Sequence, residues 1–369
     1  MDPVKSSAAW DNARRILAVR LDNLGDVLMT TPALRALRRP GRHITLLASA
    51  AGAAIVPFVP EIDAAILTAA PWMPNIPPDP ESLLETAAAL RAGEFDAAVI
   101  FTVYSQSPLP AAFLCWLADI PLRLAHCREN PYHLLSDWIP DPEPHEVLRH
   151  EVRRQLDLVA AVGCTTADER LSFRVCPEDA VRAVAKLQAA GIDPEEPWIV
   201  VHPGASAPSR RYPPEHFAAV ADRLAASPGH QLVFTGEAGD RDLIAAILDR
   251  AGRPGASLAG ALSLGELGAV IAPAALLIAN NTGPVHIAAA LGTPVVDLYA
   301  LTNPQHGPWR VQNRVLYHDV PCRFCYRSIC PQGHHDCLRL LDPQRVAEAA
   351  RELLEQGADR STPARLIPP

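Results

Sequence analysis

The sequence predicts an α/β protein in which two units each have a parallel sheet covered by helices. The chain has 369 residues, which is too long for one ordinary core and suits two domains. Short apolar runs with the length of buried strands alternate with helical segments, as a parallel sheet covered on both faces requires. Each run leads into a loop of small and polar residues, and such sheets bind ligands at the carboxyl ends of their strands.

The composition indicates a globular protein and argues against two classes of partner. Hydrophobic residues make up 49% of the chain and charged residues 20%, which is too apolar for disorder. Because the net charge is −8, we do not expect nucleic acid to bind. The first five residues lack the pattern of a signal peptide, and the longest apolar run, near 267–279, is too short to cross a bilayer. We therefore expect a cytoplasmic protein, located at most on the inner face of the inner membrane.

Two series of elements follow one another along the chain. In the first series we expect strands at Ile16–Val19, Ile44–Leu47 and Ala97–Phe101, and helices at Val27–Arg38 and Glu81–Ala92. In the second we expect strands at Trp198–Val201, Gln231–Phe234, Leu276–Ala279 and Pro294–Leu298, and helices at Pro214–Ala226, Asp240–Ala251, Val285–Leu291 and Val346–Leu354. The two series join within Cys176–Pro197. We place domains at 1–185 and 186–345, with a closing helix and tail at 346–369.

The loop between the first strand and the first helix contains a candidate proton acceptor. Asp26 falls at or near the helix start, where backbone amides and the positive end of the helix dipole favour an ionised carboxylate. Such a group can take a proton from a substrate. The alternative interpretation is a plain N-cap aspartate.

Two loops of the second series have the features of a phosphate site. The loop His202–Tyr212 contains Ser206 and other small residues and ends in Arg210 and Arg211, whose guanidinium groups suit phosphate oxygens. The segment Asn280–His286 leaves a strand and begins a helix, whose free amides form an anion site. Solvated arginines are the alternative for the first loop.

Further donor-site candidates lie in or near these loops. Thr282 and Gly283 would touch a diphosphate, and His286, one turn into the helix, could face it, although a core histidine is the alternative. Glu237 stands at another strand end and could bind ribose hydroxyls, or be an ordinary loop carboxylate. The triplet Asp240–Asp242 spells a DxD metal motif, but its place at a helix start predicts a capping role.

Four of the eight cysteines are close together in the loop 319–340. Cys322, Cys325, Cys330 and Cys337 have the spacing C-x2-C-x4-C-x6-C, with two histidines before the last cysteine. Four thiols so close in sequence can hold zinc or iron in a tetrahedral site. A structural metal, disulfides and free thiols are the alternatives at this point. The other four cysteines are expected to be buried thiols.

Three segments in order resemble glycosyltransferase family 9, the ADP-heptose:lipopolysaccharide heptosyltransferases. They are Arg20–Leu37, Val201–Pro213 and Asn281–Pro294, and the resemblance extends from about residue 16 to residue 310. It implies a GT-B fold, in which two Rossmann-like domains face each other across a cleft. The first domain would bind the acceptor and the second the nucleotide sugar. The resemblance also implies metal-independent transfer with inversion, so that no cofactor is required for catalysis.

The resemblance assigns roles to particular residues. Asp26 resembles the catalytic base, Arg210 the basic phosphate-binding residue and Glu237 the ribose-binding carboxylate. The donor-binding motif matches Thr282, Gly283 and His286. The family usually has Asp-Ser/Thr-Gly where this chain has Asn281-Thr282-Gly283, so that asparagine keeps the hydrogen bonding but loses the charge.

The sequence thus predicts transfer of a heptose or related sugar from an ADP-linked donor to a lipopolysaccharide core or related glycan. A second interpretation is a protein O-heptosyltransferase acting on an autotransporter-like protein, because some relatives with similar cysteine clusters modify autotransporters. A third is a nucleotide-sugar-binding protein without catalysis. Acceptor contacts are expected from Asn23, Gly25, Tyr104 and Gln106. The arginines of 35–42 could meet an anionic membrane, or form a solvated helix face.

Overall fold

A computed structural model describes residues 7–73, 76–77, 79–225, 229–252, 255–300 and 302–358. The chain divides into two compact units, Met1–Ser172 and Phe173–Pro369. The division lies earlier than the sequence-predicted boundary after residue 185, which falls inside helix Pro177–Ala189. That helix packs against Leu264–Ile271 in the second unit, so the chain has already entered this unit before the predicted boundary. The predicted tail beyond residue 358 lies outside the described residues.

The first unit is built on a parallel sheet of six strands. The strands are β1 (Arg15–Val19), β2 (His43–Ala48), β3 (Ala64–Leu67), β4 (Ala97–Ile100), β5 (Leu122–Cys127) and β6 (Asp137–Pro140). Their order is β3-β2-β1-β4-β5-β6, and every neighbouring pair is parallel. The helices are α1 (Ser7–Asn12), α2 (Leu24–Leu37), α3 (Ala50–Ala53), α4 (Pro80–Ala92), α5 (Leu109–Leu117) and α6 (Glu151–Ala160).

The second unit repeats this topology. Its strands are β7 (Trp198–His202), β8 (Gln231–Phe234), β9 (Ala256–Ser257), β10 (Leu276–Asn280), β11 (Val295–Leu298) and β12 (Asn313–Leu316). They are parallel in the order β12-β11-β10-β7-β8-β9. The helices are α7 (Pro177–Ala189), α8 (Pro214–Ala225), α9 (Arg241–Arg250), α10 (Leu264–Ile271), α11 (Gly283–Leu291), α12 (Asp336–Arg339) and α13 (Pro343–Ala358).

Both sheets have the strand order of a Rossmann unit, which confirms the predicted α/β class. Central strands such as β7 and β10 are buried along their whole length, because helices cover both faces of a parallel sheet. In each sheet the order reverses between the first and fourth strands of the unit. The loops after those two strands therefore leave toward opposite faces and open a crevice between them.

Helix α2 begins at Leu24, three residues before the predicted start, and this places Asp26 in its first turn. The Asn23 backbone N–H donates to Asp26 Oδ2 at 3.2 Å, which fixes the entry to the helix. Pro32 lies inside the helix and has no N–H for the Leu28 carbonyl. Thr31 Oγ1 donates to that carbonyl instead, at 2.7 Å, so the helix continues through the proline.

The arginines of 35–42 form contacts within the first unit. Arg35 pairs with Glu61 at 2.8 Å, Arg38 with Asp63 at 2.5 Å, and Arg39 with Asp11. Arg42 is buried, and its guanidinium donates to the carbonyls of Ala13 and Leu37. These contacts support a structural role for the four side chains. In the described part of the chain no helix is both long enough and apolar enough to cross a membrane.

Candidate functional site

The first candidate site is a cavity at the carboxyl edge of the first sheet. It encloses about 300 Å³ and is lined by the loops that follow β1 and β4, where the strand order reverses. Asp22 from one loop and Thr102 and Gln106 from the other supply polar groups, whereas Trp72 and Met73 supply apolar surface. A few polar groups on a partly apolar wall are typical of a small-molecule site.

A buried arginine at the end of β1 contacts three carboxylates next to this cavity. Arg20 is fully buried, and its Nε, Nη2 and Nη1 atoms lie 3.0 Å from Asp22, 3.2 Å from Asp26 and 2.7 Å from Glu151. Burial alone would lower the pKa of Arg20, but the three carboxylates outweigh it and raise that pKa above its usual value. The guanidinium is therefore a permanent positive charge that orients these carboxylates.

Asp26 is held on both of its oxygens and still reaches solvent. Arg20 contacts Oδ1, the Asn23 N–H donates to Oδ2, and 16% of the Asp26 side chain is exposed. A carboxylate fixed in this way has one orientation, and its remaining lone pairs can accept a proton from a bound ligand. The geometry thus suits the predicted role of a base.

The predicted acceptor residues are distributed unevenly around the cavity. Gln106 lines it, and its Nε2 donates to Asp22 Oδ1 at 2.7 Å. Asn23 is exposed immediately before α2, and Gly25 is buried in the first turn of that helix. Tyr104 is half-buried in the loop after β4 and is absent from the described lining of the cavity.

The second candidate site lies at the carboxyl edge of the second sheet. The loop after β7 is anchored at both ends by Asn280, a fully buried residue at the end of β10. Its Nδ2 donates to the Pro203 carbonyl at 2.7 Å, and its Oδ1 accepts from the Tyr212 N–H at 3.1 Å. One amide side chain therefore fixes the span that includes the predicted phosphate-binding arginines.

The two arginines of this loop have different surroundings. Arg210 is half-buried in a short 3-10 turn, and its charge acts on Asp297 and Tyr299 of the neighbouring strand region. Arg211 is exposed and donates through Nε to the Ala205 carbonyl at 2.9 Å, so it contacts its own loop. Ser206 is exposed in the same loop. The charge of Arg210 therefore acts at the ends of the strands, whereas Arg211 contacts its own loop.

The segment after β10 forms the N-terminus of α11. Thr282 precedes the helix in an extended conformation, and its Oγ1 donates to the Asn280 carbonyl at 3.1 Å. Thr282 and Gly283 are half-buried, and their backbone amides lie at the first turn of a nine-residue helix. His286 is only 4% exposed within α11, as expected of a core histidine. Asn281 is buried beneath the turn.

The strand end after β8 contains the predicted ribose ligand. Glu237 is exposed there, and its backbone N–H donates to Asp240 Oδ2 at 2.9 Å. Asp240 therefore caps the turn before α9, as expected for this DxD triplet. A side chain at Gly204 would collide with the Asp240 carboxylate, so the two loops approach closely here.

Burial lowers the pKa of His202 to about 4 and keeps its imidazole neutral.

The four clustered cysteines line one small pocket together with His334 and His335. Cys322 Sγ lies 3.7 Å from His334 Nε2, and all eight cysteines are free thiols. Within the described residues, however, no group of three or more His, Cys, Asp or Glu side chains is arranged to hold an ion. The predicted structural zinc or iron at Cys322, Cys325, Cys330 and Cys337 is therefore unsupported. The disulfide alternative is wrong for this structure.

The cysteine-rich segment also contacts the loop of Arg210. Ser209 is buried; its N–H donates to the Ser328 carbonyl at 3.1 Å, and its Oγ donates to the Arg327 carbonyl at 2.8 Å. On the other side, the Tyr326 N–H donates to the Thr302 carbonyl at 2.8 Å. The segment therefore braces two loops at the carboxyl edge of the sheet.

Sequence reasoning missed the residues that organise both sites. Arg20 and Asn280 stand inside the segments singled out above, but their partners lie far along the chain, and Glu151 is 131 positions after Arg20. Asp297 is a fully buried carboxylate in the apolar strand β11. An acidic residue within a predicted apolar strand was the sequence signal that could have pointed to it. An aspartate in such a strand needs a partner or a function.

Comparisons with known sequences and with solved structures point to the same protein family. A family-wide sequence model described as "Glycosyltransferase family 9 (heptosyltransferase)" matches residues 84–335. Lipopolysaccharide heptosyltransferase 2 of Escherichia coli (strain K12) is 27% identical over 366 residues, which cover 93% of this chain and 99% of that protein. Among solved structures, the glycosyl transferase family 9 protein of Veillonella parvula DSM 2008 superposes with a TM-score of 0.76 at 24% identity, covering 93% and 97% of the two chains.

A second solved structure extends the likeness. The E. coli ADP-heptose lps heptosyltransferase II has a TM-score of 0.72 at 25% identity, with coverage of 93% of this chain and 99% of that one. These likenesses confirm the predicted GT-B fold class, with a Rossmann-like sheet in each unit.

Proposed function

The chain belongs to glycosyltransferase family 9 (heptosyltransferase) and is a glycosyltransferase, and from this premise we propose that it moves a heptose or related sugar from an ADP-linked donor to a lipopolysaccharide core or related glycan. The observation on which the proposal depends most is the geometry of Asp26. This partly exposed carboxylate is oriented by a buried arginine at the edge of a sheet that also holds a cavity. We assign the acceptor to the first unit and the donor to the second.

The acceptor hydroxyl is activated by Asp26. The hydroxyl oxygen attacks the anomeric carbon of the donor while the bond from that carbon to the diphosphate breaks, and the configuration inverts. Asp26 takes the hydroxyl proton, a contribution typically worth about 10²–10⁴ in rate. Arg20 keeps the carboxylate oriented toward its ligand through the contact at Oδ1.

The leaving diphosphate is stabilised in the second unit. Arg210 and the backbone amides at the start of α11 meet the charge that builds on the diphosphate oxygens. Ser206 and Arg211 add contacts from the same loop, and Glu237 binds the ribose hydroxyls. Asn281, Thr282, Gly283 and His286 form the turn and helix start beneath the donor. No step needs a metal ion, because these groups can supply the positive field.

The cavity of the first unit favours an uncharged sugar ring as the nearest part of the acceptor. Among the described residues that line it there is no lysine or arginine, and Asp22 adds a carboxylate. Trp72 provides an aromatic face of the kind on which sugar rings pack. We assign further acceptor contacts to Asn23 and Gly25 at the start of α2 and to Tyr104 and Gln106 in the loop after β4. We further propose that the protein works in the cytoplasm.

The test is a transfer assay with ADP-heptose and a heptose-deficient lipopolysaccharide core, in which ADP release and the acceptor mass are measured. We expect Asp26→Asn to reduce kcat by about 10²–10⁴-fold and to leave the Kd for ADP nearly unchanged. Asp119→Asn is the matched control, because this side chain is 76% exposed and pairs with Arg91 at the surface. Wild-type turnover in Asp26→Asn would remove Asp26 from the mechanism.

The same assay separates the two alternative functions. A protein O-heptosyltransferase would add mass to an autotransporter-like protein and not to the glycolipid. A protein without catalysis would bind ADP-heptose but release no ADP with any acceptor. Retention of the oriented Asp26 carboxylate favours the glycosyltransferase over the non-catalytic interpretation.

A further inference from the structure

A buried carboxyl group lies directly under the turn that begins α11. Asp297 stands on β11, is fully buried, and accepts through Oδ2 from Asn281 Nδ2 at 2.9 Å. The same Nδ2 atom lies 3.1 Å from the His306 carbonyl. The Asn281 amide therefore connects the end of β10 with β11 and with the loop after β11. Asp297 accepts one of its N–H hydrogen bonds.

The surroundings of Asp297 are unusual for a carboxylate. Within the described residues its second oxygen, Oδ1, has no hydrogen-bond partner. Desolvation raises the pKa of Asp297 to about 8, although the hydrogen bond from Asn281 and the charge of Arg210 both act to lower it. A buried acid of this kind is retained at a cost in stability, which calls for a function.

The amide at position 281 is the uncharged partner in this contact, and its identity limits the charge that the pair can carry. An aspartate there would place two carboxylates in contact, because the present Nδ2–Oδ2 distance is only 2.9 Å. Such a pair would have to share a proton.

We propose that Asp297 is a positioning residue of the donor site, which holds Asn281 and the turn Asn281–Gly283 in the position that receives the donor diphosphate. This inference rests on the proposed function. Asp297 acts through Asn281 and Arg210 and does not touch the reacting atoms. In its neutral form it leaves the full charge of Arg210 available to the diphosphate.

The sign of the pH dependence follows from this arrangement. Three groups act on Asp297: Arg210 in the loop after β7, Tyr299 immediately after β11, and Asn281 immediately after β10. The Asn281 amide also donates to the His306 carbonyl. When Asp297 loses its proton, its charge attracts Arg210 and repels the diphosphate. ADP therefore binds best while Asp297 is protonated, and its affinity falls as the pH rises through about 8.

The experiment measures the Kd for ADP by calorimetry between about pH 6.5 and 9.5 on the full chain. In the wild type we expect affinity to fall about five-fold across this range, as like charges at a partly buried site predict. Asp297→Asn should make the profile flat. Asp249→Asn, an exposed position on α9, is the control and should keep the wild-type profile.

A charge exchange tests positioning independently of pH. Asn281→Asp alone should weaken ADP binding about ten-fold at pH 8.5, because two carboxylates then meet. The double variant Asn281→Asp/Asp297→Asn should recover part of that loss, since one carboxyl and one amide are again paired. Recovery is partial because the His306 carbonyl loses its amide donor.

The outcomes distinguish the proposed role of Asp297 from the proposed donor site. A wild-type profile in Asp297→Asn, or no recovery in the double variant, would overturn the role of Asp297 while leaving the donor site in place. If Asp297→Asn does not fold, the pH profile of the wild type and the charge exchange test the role of Asp297 instead. If the wild type binds no ADP at any pH, the proposed donor site fails as well.

Discussion

At the scale of single residues, the proposed chemistry of the first unit depends on the guanidinium group of Arg20. Three different nitrogens of one guanidinium contact Asp22, Asp26 and Glu151. Glu151 is itself fixed by Gln155, whose Nε2 donates to Glu151 Oε1 at 2.5 Å and lies 3.2 Å from the Thr102 carbonyl. A lysine would keep the charge but could not reach three carboxylates in this planar arrangement.

We therefore expect Arg20→Lys to fold with reduced stability and to lose about 10²-fold in kcat, because Asp26 is no longer oriented. The Kd for ADP should not change, which distinguishes lost positioning from general unfolding. Steady-state kinetics and calorimetry measure both quantities. Arg91→Lys is the control, since its side chain is 62% exposed. Equal kcat in Arg20→Lys and wild type would show that Asp26 does not need the guanidinium group.

Residue identities could be predicted from the sequence, but their partnerships could not. Asp26 was found because it follows a strand and begins a helix, and both signals are local. Arg20 was visible in the same motif, yet Glu151 on α6 completes its ion cluster, and no local pattern connects them. Asn280 likewise looked like a strand end, although it anchors a loop that begins at Pro203.

At the scale of elements, the loop after β7, which we propose to bind phosphate, is held in shape by Asn280 at the end of β10. We expect Asn280→Asp to weaken ADP binding about ten-fold, because a carboxylate cannot donate to the Pro203 carbonyl and leaves that buried oxygen unpaired. Thermal unfolding should show a loss of about 1–3 kcal/mol. Asn313→Ala on β12 is the control. Unchanged ADP affinity in Asn280→Asp would mean that the loop holds its shape unaided.

The cysteine-rich segment gives a second prediction at this scale. Burial opposes ionisation of Cys330, but the backbone N–H groups of 332–335 outweigh it and lower the pKa of this thiol. Burial raises the pKa of Cys115 to about 12 and that of Cys127 to about 11. Iodoacetamide at neutral pH should therefore alkylate Cys330 well before these two, as peptide mass spectrometry would show.

The control for this reaction is Cys330→Ser, which should remove the fast phase. A chelator should make no difference, because the described residues hold no group arranged for an ion. If alkylation of Cys330 became fast only after chelation, a metal would be bound there, and the structural conclusion about the cluster would be wrong.

Strands with a continuous apolar run were the predictable elements. The sequence located β1, β2, β4, β7, β8, β10 and β11 to within about two residues, the usual uncertainty at element ends. It missed the edge strands β3, β6, β9 and β12, which are short and half-exposed and so lack such a run. It also missed β5, because Arg123 and His126 interrupt its apolar pattern.

At the scale of the whole molecule, the proposed assignment of acceptor and donor to different units rests on two Rossmann units with separate cores. One core contains Val19, Ile100 and Cys115, and the other contains Val201, Phe234 and Ile278. In each unit the strand order reverses once, and each unit thus offers one crevice at its carboxyl edge. Asp22 and Asp26 lie at the first crevice, and the groups that we propose to bind the diphosphate lie at the second.

Hydrogen exchange on the full chain tests this division directly. ADP should protect the amides of 203–212 and 281–285 more than those of 20–26, because an anion at a helix N-terminus occupies the backbone donors there. Arg210→Ala should reduce this protection at a fixed ADP concentration, since affinity for the diphosphate falls. Inorganic phosphate serves as a weaker probe of the same amides. Protection by ADP confined to the first unit would reverse the assignment of donor and acceptor, and Asp26 would then lie beside the nucleotide instead of the incoming hydroxyl.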